Sequence, residues 1–194
     1  EGAVPATFYI PPDSQKGPSS RFGLGEPTPG EKPAGVVLTH GFSEDRMALS
    51  SLARSMAHAG YAVLVIDMMN TYDHPDAERL APNVEAIIDP LSKMVDRARD
   101  RDDVDLIYVN DNYGDFTAAP GDLVDDALNG QRPDLVRPVA PSKKSRFLTK
   151  VRHSAFYATP LDYLLGRLKT ECVVLTGQVT EQCILYTALD AYIR

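Results

Sequence analysis

The amino-acid sequence predicts an α/β protein, a three-layer α/β/α arrangement around a mostly parallel sheet. Three observations carry that expectation. Short apolar runs rich in Val, Ile and Leu recur along the chain, and segments with helical spacing of apolar residues separate them. The runs are apolar at successive positions, as in strands covered on both faces. In sheets of this kind, ligands collect at the C-terminal ends of the strands.

Taken in order, Ala6–Ile10 reads as a short edge strand and residues 11–34, rich in Pro and Gly, as a flexible lead-in. Val36–Thr39 is a buried-type strand, and Arg46–Ala59 a helix ended by Gly60. Ala62–Ile66 is the next strand, and Asp67 stands at its C-terminal end. From Asn83 to Arg99, Val84, Ile87, Ile88, Leu91, Met94, Val95 and Ala98 recur at helical spacing, with Pro90 expected to bend or restart the helix. Asp105–Val109 is a strand, followed by a charged, irregular stretch to about Pro138 with a short helix over Leu123–Leu128. Arg146–Thr149 is a strand-like piece leading to Lys150, Leu161–Leu168 is helical, Cys172–Thr176 is the last strand, and a helix follows Cys183. Val36–Thr39 is placed at the sheet edge beside the Cys172 strand, which a right-handed crossover permits.

The length of 194 residues suits one α/β domain, or one with an appendage. A net charge of −7 argues against a nucleic-acid partner. No run approaches the roughly 18 apolar residues of a membrane span, so no membrane partner is expected. The N-terminus lacks a signal-peptide pattern and the two cysteines make no disulfide framework, so a reducing cytoplasm is expected.

The turn Gly177-Gln178-Val179-Thr180-Glu181-Gln182-Cys183 separates a buried-type strand from a helix. A cysteine at a helix N-terminus faces unpaired N–H groups and the positive end of the dipole, a setting that lowers a thiol pKa. Cys183 is therefore a candidate nucleophile. The ordinary reading of a free cysteine is a small buried hydrophobe, which fits Cys172 well. Asp67, directly after four buried aliphatics, is either a turn-forming residue or a paired carboxylate. Lys150 is, by itself, most simply a solvated surface residue. Together the three make a unit: the carboxylate takes the thiol proton, and the ammonium stabilises both anions.

From about Tyr61 to Arg194 the chain resembles the isochorismatase-like cysteine hydrolases, a family that includes nicotinamidases and other small-amide hydrolases. The resemblance rests on Leu64-Val65-Ile66-Asp67-Met68-Met69-Asn70, on Lys150-Val151-Arg152-His153-Ser154-Ala155-Phe156, and on Leu175 to Cys183 with Thr187-Ala188-Leu189-Asp190-Ala191 after it. It implies Asp67 as general base, Lys150 as stabilising cation and Cys183 as nucleophile, acting on a small amide or related C–N bond through a thioester. It also implies a cis peptide at Gln178–Val179, with the N–H groups of Val179 and Cys183 as oxyanion donors. Asn70, Tyr72, Tyr113 and Phe156 are expected as walls of a substrate pocket. His153 is a further residue that could line the site, a surface or core position being its ordinary reading.

Nicotinamidases of this family carry a histidine-containing metal cluster where this chain reads Asn110-Asp111-Asn112-Tyr113-Gly114, so no metal is expected and nicotinamide is disfavoured. No organic cofactor is needed; the expected partner is a small-molecule substrate, with a homo-oligomer open. Residues 1–60 follow a different pattern: Ala34–Phe42, with His40-Gly41, resembles an α/β-hydrolase, although no G-x-S-x-G nucleophile elbow follows. The two resemblances meet at Val63–Asp67. They imply a hybrid chain, made by recombination or by faulty assembly of the reading frame. The family pattern runs on past Arg194, so the domain over 61–194 is expected to be incomplete at its C-terminus. The competing readings are a serine-type α/β-hydrolase fragment and an inactive binding or dimerising module.

Overall fold

The structure, a computed structural model, describes residues 35–38 as backbone and residues 60–142 and 144–194 in full. The expected Ala6–Ile10 strand, the Pro/Gly-rich lead-in, the Arg46–Ala59 helix and the His40-Gly41 segment lie outside the described residues.

The described elements are β1 (Gly35–Leu38), β2 (Tyr61–Ile66), α1 (Ala77–Arg99), β3 (Val104–Asp111), α2 (Pro120–Leu128), α3 (Pro133–Val136) and a 3₁₀ turn (Arg137–Val139). After these come β4 (Arg146–Lys150), α4 (Leu161–Leu168), β5 (Cys172–Gly177), a π-helical turn (Thr180–Ile184) and α5 (Leu185–Ile193). The strands form one sheet in the order β1-β5-β2-β3-β4, and every pairing is parallel. β1 lies beside β5, with Gly35 opposite Cys172 and Leu38 opposite Leu175.

Strand side chains alternate between two cores, as the two-residue period requires. Tyr61, Val63 and Val65 of β2 face one core with the α1 stripe Ala81, Val84, Ile88, Leu91, Val95 and Ala98. Ala62, Leu64 and Ile66 face the other, with Leu161 and Leu165 of α4, Ile184 and Ala191. From β2 the chain steps one way along the sheet to β3 and β4, then returns through α4 to β5 on the far side of β2. A constant crossover hand puts helices of opposite travel on opposite faces. The reversal makes the C-terminal ends of β2 and β5 a topological switch point, the place where ligands collect in sheets of this kind.

Pro90 does not restart α1, which runs unbroken from Ala77 through Pro82 and Pro90 to Arg99. Each proline removes one hydrogen bond to the carbonyl four residues back, at Glu78 and Ala86, and both residues are exposed, so water can serve those carbonyls. The buried stripe on the other side of the helix holds it together. Among the described residues no helix is long and apolar enough to cross a membrane.

Gly177 closes β5 at φ +122, and a Cβ built there would lie 1.9 Å from the Ile66 carbonyl oxygen. Gln178 N–H donates to that same oxygen at 3.0 Å, so the ends of β2 and β5 touch through backbone alone. Gly177→Ala is expected to lower stability by about 1–3 kcal/mol through overpacking and positive φ. A lower urea midpoint with an unchanged slope checks this; an unchanged midpoint would refute the close-approach argument.

Candidate active site

Asp67 leaves β2 with φ +54, a left-handed turn that Asp tolerates better than most residues. Its N–H donates to Val109 O at 3.0 Å, and its Oδ1 accepts the Asp111 N–H at 2.7 Å. The Gln178 side-chain amide donates to its carbonyl at 2.6 Å. Asp67 is thus fixed from β3 through its N–H and carboxylate and from the end of β5 through its carbonyl.

Lys150, the last residue of β4, is fully buried. Its Nζ lies 2.9 Å from Asp67 Oδ2, 3.1 Å from Asp111 Oδ2 and 3.4 Å from Cys183 Sγ. An ammonium has three hydrogens and no acceptor, and here each has an acceptor. The Asp67 carboxylate is also near enough to the Cys183 thiol for each to act on the other's charge. The structure therefore brings Asp67, Lys150 and Cys183 into one buried cluster.

Cys183 sits inside the π-helical turn rather than at a free helix N-terminus: Ile184 N–H reaches back to Val179 O at 3.3 Å. This corrects the expectation of a lowered thiol pKa. Burial first, then the Asp67 carboxylate, push the thiol up to about 12, against the pull of Lys150. Burial also raises Asp67, with Lys150 opposing it most strongly. For Lys150, burial lowers the pKa, but Asp67 and the other anionic partners outweigh it and the ammonium is held above its usual range.

Thr187, fully buried on α5, joins the nucleophile turn to the segment after Lys150. Its hydroxyl donates to Cys183 O at 2.6 Å and accepts the Ala155 N–H at 2.9 Å. Ser154 donates to Asp190, also on α5, at 2.5 Å. The Gln178–Val179 peptide is cis.

The four residues expected to wall a pocket have separate places. Asn70 accepts the Tyr72 N–H at 2.7 Å and shapes a turn. Tyr72 is buried in the α1-side core, and burial pushes its hydroxyl up to about 12. Tyr113 is half exposed but its hydroxyl reaches Met69 O at 2.9 Å, near Asp67. Phe156 packs in the same core as Cys183. A cleft of about 380 Å³ beside the cluster is lined instead by Asp111, Asn112, Phe116, Val151, Arg152 and His153. His153 also lies against Tyr186, ring centroids 5.3 Å apart.

Sequence reasoning passed over Asp111, which the structure places on Lys150. The available signal was the polar run Asn110-Asp111-Asn112 closing a strand at the ligand-binding edge of the sheet. Asn110 is buried and clamps both the N–H and the carbonyl of Met69, at 2.9 and 3.1 Å. Among the described residues no group of three or more His, Cys, Asp or Glu side chains is placed to hold a metal ion.

A parallel sheet with a buried carboxylate, ammonium and thiol at its switch point defines a class of cysteine-bearing α/β domain, and comparison with known proteins places it. The Isochorismatase domain family matches residues 61–194, and the chain belongs to that family. It is 34% identical over 139 residues to the uncharacterized isochorismatase family protein YaaI of Bacillus subtilis, covering 72% of this chain and 76% of YaaI. It is 31% identical over 138 residues to the maleamate amidohydrolase of Pseudomonas putida, covering 67% of this chain and 64% of that protein, so it spans less than two-thirds of that relative's length. Among solved structures, an isochorismatase-like hydrolase from Alkaliphilus metalliredigens is 32% identical with a TM-score of 0.55, covering 70% of this chain and 74% of that one.

The opposing effects of Asp67 and Lys150 on the thiol have separable consequences. Asp67→Asn is expected to move the midpoint of Cys183 alkylation to lower pH, and Lys150→Met to higher pH. Iodoacetamide labelling against pH, read by mass spectrometry with Cys172 as internal reference, gives both midpoints. Shifts in the reverse directions would refute the assigned electrostatics.

Proposed function

We propose that this chain hydrolyses the C–N bond of a small amide through a thioester on Cys183. The observation that carries the reading is the single buried ammonium of Lys150 in contact with both Asp67 Oδ2 (2.9 Å) and Cys183 Sγ (3.4 Å). Support comes from the family and from an amidohydrolase relative, the maleamate amidohydrolase.

In this reading Asp67 accepts the thiol proton as sulfur attacks the amide carbonyl carbon, giving a tetrahedral intermediate. The proton then passes from Asp67 to the departing nitrogen, the C–N bond breaks, and ammonia or an amine leaves behind a thioester. Asp67 next takes a proton from water as the water oxygen attacks the thioester carbonyl. The C–S bond breaks, the sulfur regains the proton, and the carboxylic acid departs. Lys150 keeps its proton throughout and stabilises whichever of sulfur and Asp67 is anionic. The backbone N–H groups of Val179 and Cys183 are the proposed oxyanion donors.

The protonation states set the pH profile. Protonated Asp67 cannot accept the thiol proton, and its pKa is raised, so activity is expected to fall on acidification at a pH above the usual carboxylate value of 3.8. Lys150 is held above its usual 10.5, so loss of its charge does not limit activity near neutrality. The check is ammonia release from a panel of small primary amides against pH. Cys183→Ala and Asp67→Asn are expected to lower kcat by about 10²-fold or more. Turnover persisting in Cys183→Ala would sink the thioester reading.

A further inference from the structure

Lys150 has two carboxylate partners, and they are held differently. Asp67 touches the ammonium and is near enough to the thiol for each to act on the other's charge. Asp111 stands opposite Lys150 in the register of β3 and β4, and its Oδ2 lies 3.1 Å from Nζ. Its other oxygen, Oδ1, accepts the Tyr113 N–H at 2.8 Å, so both oxygens are engaged by the chain itself. Backbone ties hold the residue further. Its N–H donates to Asp67 Oδ1 at 2.7 Å, and its carbonyl accepts the Asn110 side-chain amide at 3.1 Å. The next N–H, of Asn112, donates to Lys150 O at 3.0 Å, and the Tyr113 hydroxyl pins the following turn to Met69 O. The proposed reaction gives this carboxylate no step.

Following the charges through the reaction shows what it can do. At rest Lys150 faces the carboxylates of Asp67 and Asp111. Once the thiol proton has moved to Asp67, the ammonium faces the thiolate and Asp111; after the nitrogen departs, it faces Asp67 and Asp111 again. One anion alternates between Asp67 and sulfur, and Asp111 is the constant one. A fixed acceptor for the third hydrogen stops the ammonium turning about its Cε–Nζ bond, so the other two hydrogens stay on the alternating pair. We propose that Asp111 is a positioning residue acting through Lys150, the fixed counter-ion that keeps the ammonium aimed at Asp67 and Cys183. The role rests on the proposed thioester reaction, but part of its test needs no turnover. Its charge has a second effect. Asp111 Oδ2 and Cys183 Sγ meet the same nitrogen, at 3.1 and 3.4 Å, so the carboxylate offsets part of the pull of Lys150 on the thiol. The other titratable or charged groups around the cluster are Asp67, Tyr72 and Tyr113, with Arg152 and His153 beside Asp111 along the cleft. Glu181, on the turn of Cys183, is exposed.

Two measurements on the full chain test it: ammonia release from the best primary amide of the panel, and the pH midpoint of Cys183 alkylation by iodoacetamide. Asp111→Asn removes the charge and leaves one acceptor oxygen where two are engaged. It is expected to lower kcat about tenfold with KM little changed. It is also expected to move the alkylation midpoint about one unit to lower pH. A thiol that ionises more readily in a slower enzyme separates lost positioning from lost reactivity. Asn110→Ala loosens the same strand end without touching a charge, and is expected to leave the midpoint in place. Asp111→Glu keeps the charge but displaces the oxygens, so its midpoint is expected to stay near the parent's while kcat still falls; it carries the test should Asp111→Asn not fold. An unmoved or raised midpoint in Asp111→Asn, an equal shift in Asn110→Ala, a lowered midpoint in Asp111→Glu, or full kcat in either Asp111 variant would overturn the proposal. The expected midpoints with no ammonia released by the parent chain would overturn the amidase reading alone and leave Asp111 standing as the fixed counter-ion of Lys150.

Discussion

The constraint on which the rest of the structure depends is the burial of Lys150. A lysine ammonium shut away from water is tolerated only with every hydrogen satisfied and with opposite charge beside it. Asp67, Asp111 and Cys183 meet that requirement from the ends of β2 and β3 and from the turn after β5. Removing one partner of such a cluster typically destabilises a protein by about 3–5 kcal/mol, because the charge left behind stays buried. The geometry of the candidate site and folding stability thus share the same contacts, and the cluster is part of the core rather than an ornament on it.

Sheet topology makes that meeting possible. Parallel strands end on one side of the sheet, so residues just beyond β2, β3, β4 and β5 are neighbours however distant in sequence. Asp67 turns out of β2 through a left-handed conformation, and Gly177 lets β5 close against the Ile66 carbonyl. Asn110 and Thr187 then fix the flanking segments, the first to Met69 and the second to Cys183. The Asn110 tie and the bond from Ala155 N–H to Thr187 join segments far apart in the chain, the Thr187 bond to Cys183 spans a single turn, and together they hold the carboxylate and thiol within reach of one ammonium.

Strands were the most legible part of the sequence, because short unbroken apolar runs such as Val36–Leu38, Ala62–Ile66 and Val173–Leu175 have few other readings in a chain where they alternate with helical patterns. Asp67 and Cys183 were legible as residues ending such strands. Lys150 was not, since nothing local distinguishes a buried lysine from a solvated one; motif resemblance supplied it. Asp111 was not, because it stands in a segment that departs from the family pattern by lacking histidines, and nothing in that pattern singles out its carboxylate. The length of α1 was misjudged because proline's local penalty was weighed without the buried stripe that outweighs it. The thiol pKa was misread in sign for a related reason: a helix-terminus argument holds for a half-exposed group, and Cys183 is buried beside a carboxylate.

That corrected sign bears on how the cluster could act. Burial opposes adding a charge to the site, which is why the thiol resists ionising to solvent. Moving a proton from sulfur to Asp67 adds none: one anion is replaced by another, and both lie against the same ammonium. The transfer leaves the total charge of the cluster unchanged, so a low-dielectric interior that raises both pKa values still permits exchange between them. A nucleophile formed this way needs no depressed thiol pKa at rest. It needs a base whose own pKa is lifted toward that of the thiol, and burial of Asp67 moves it in that direction.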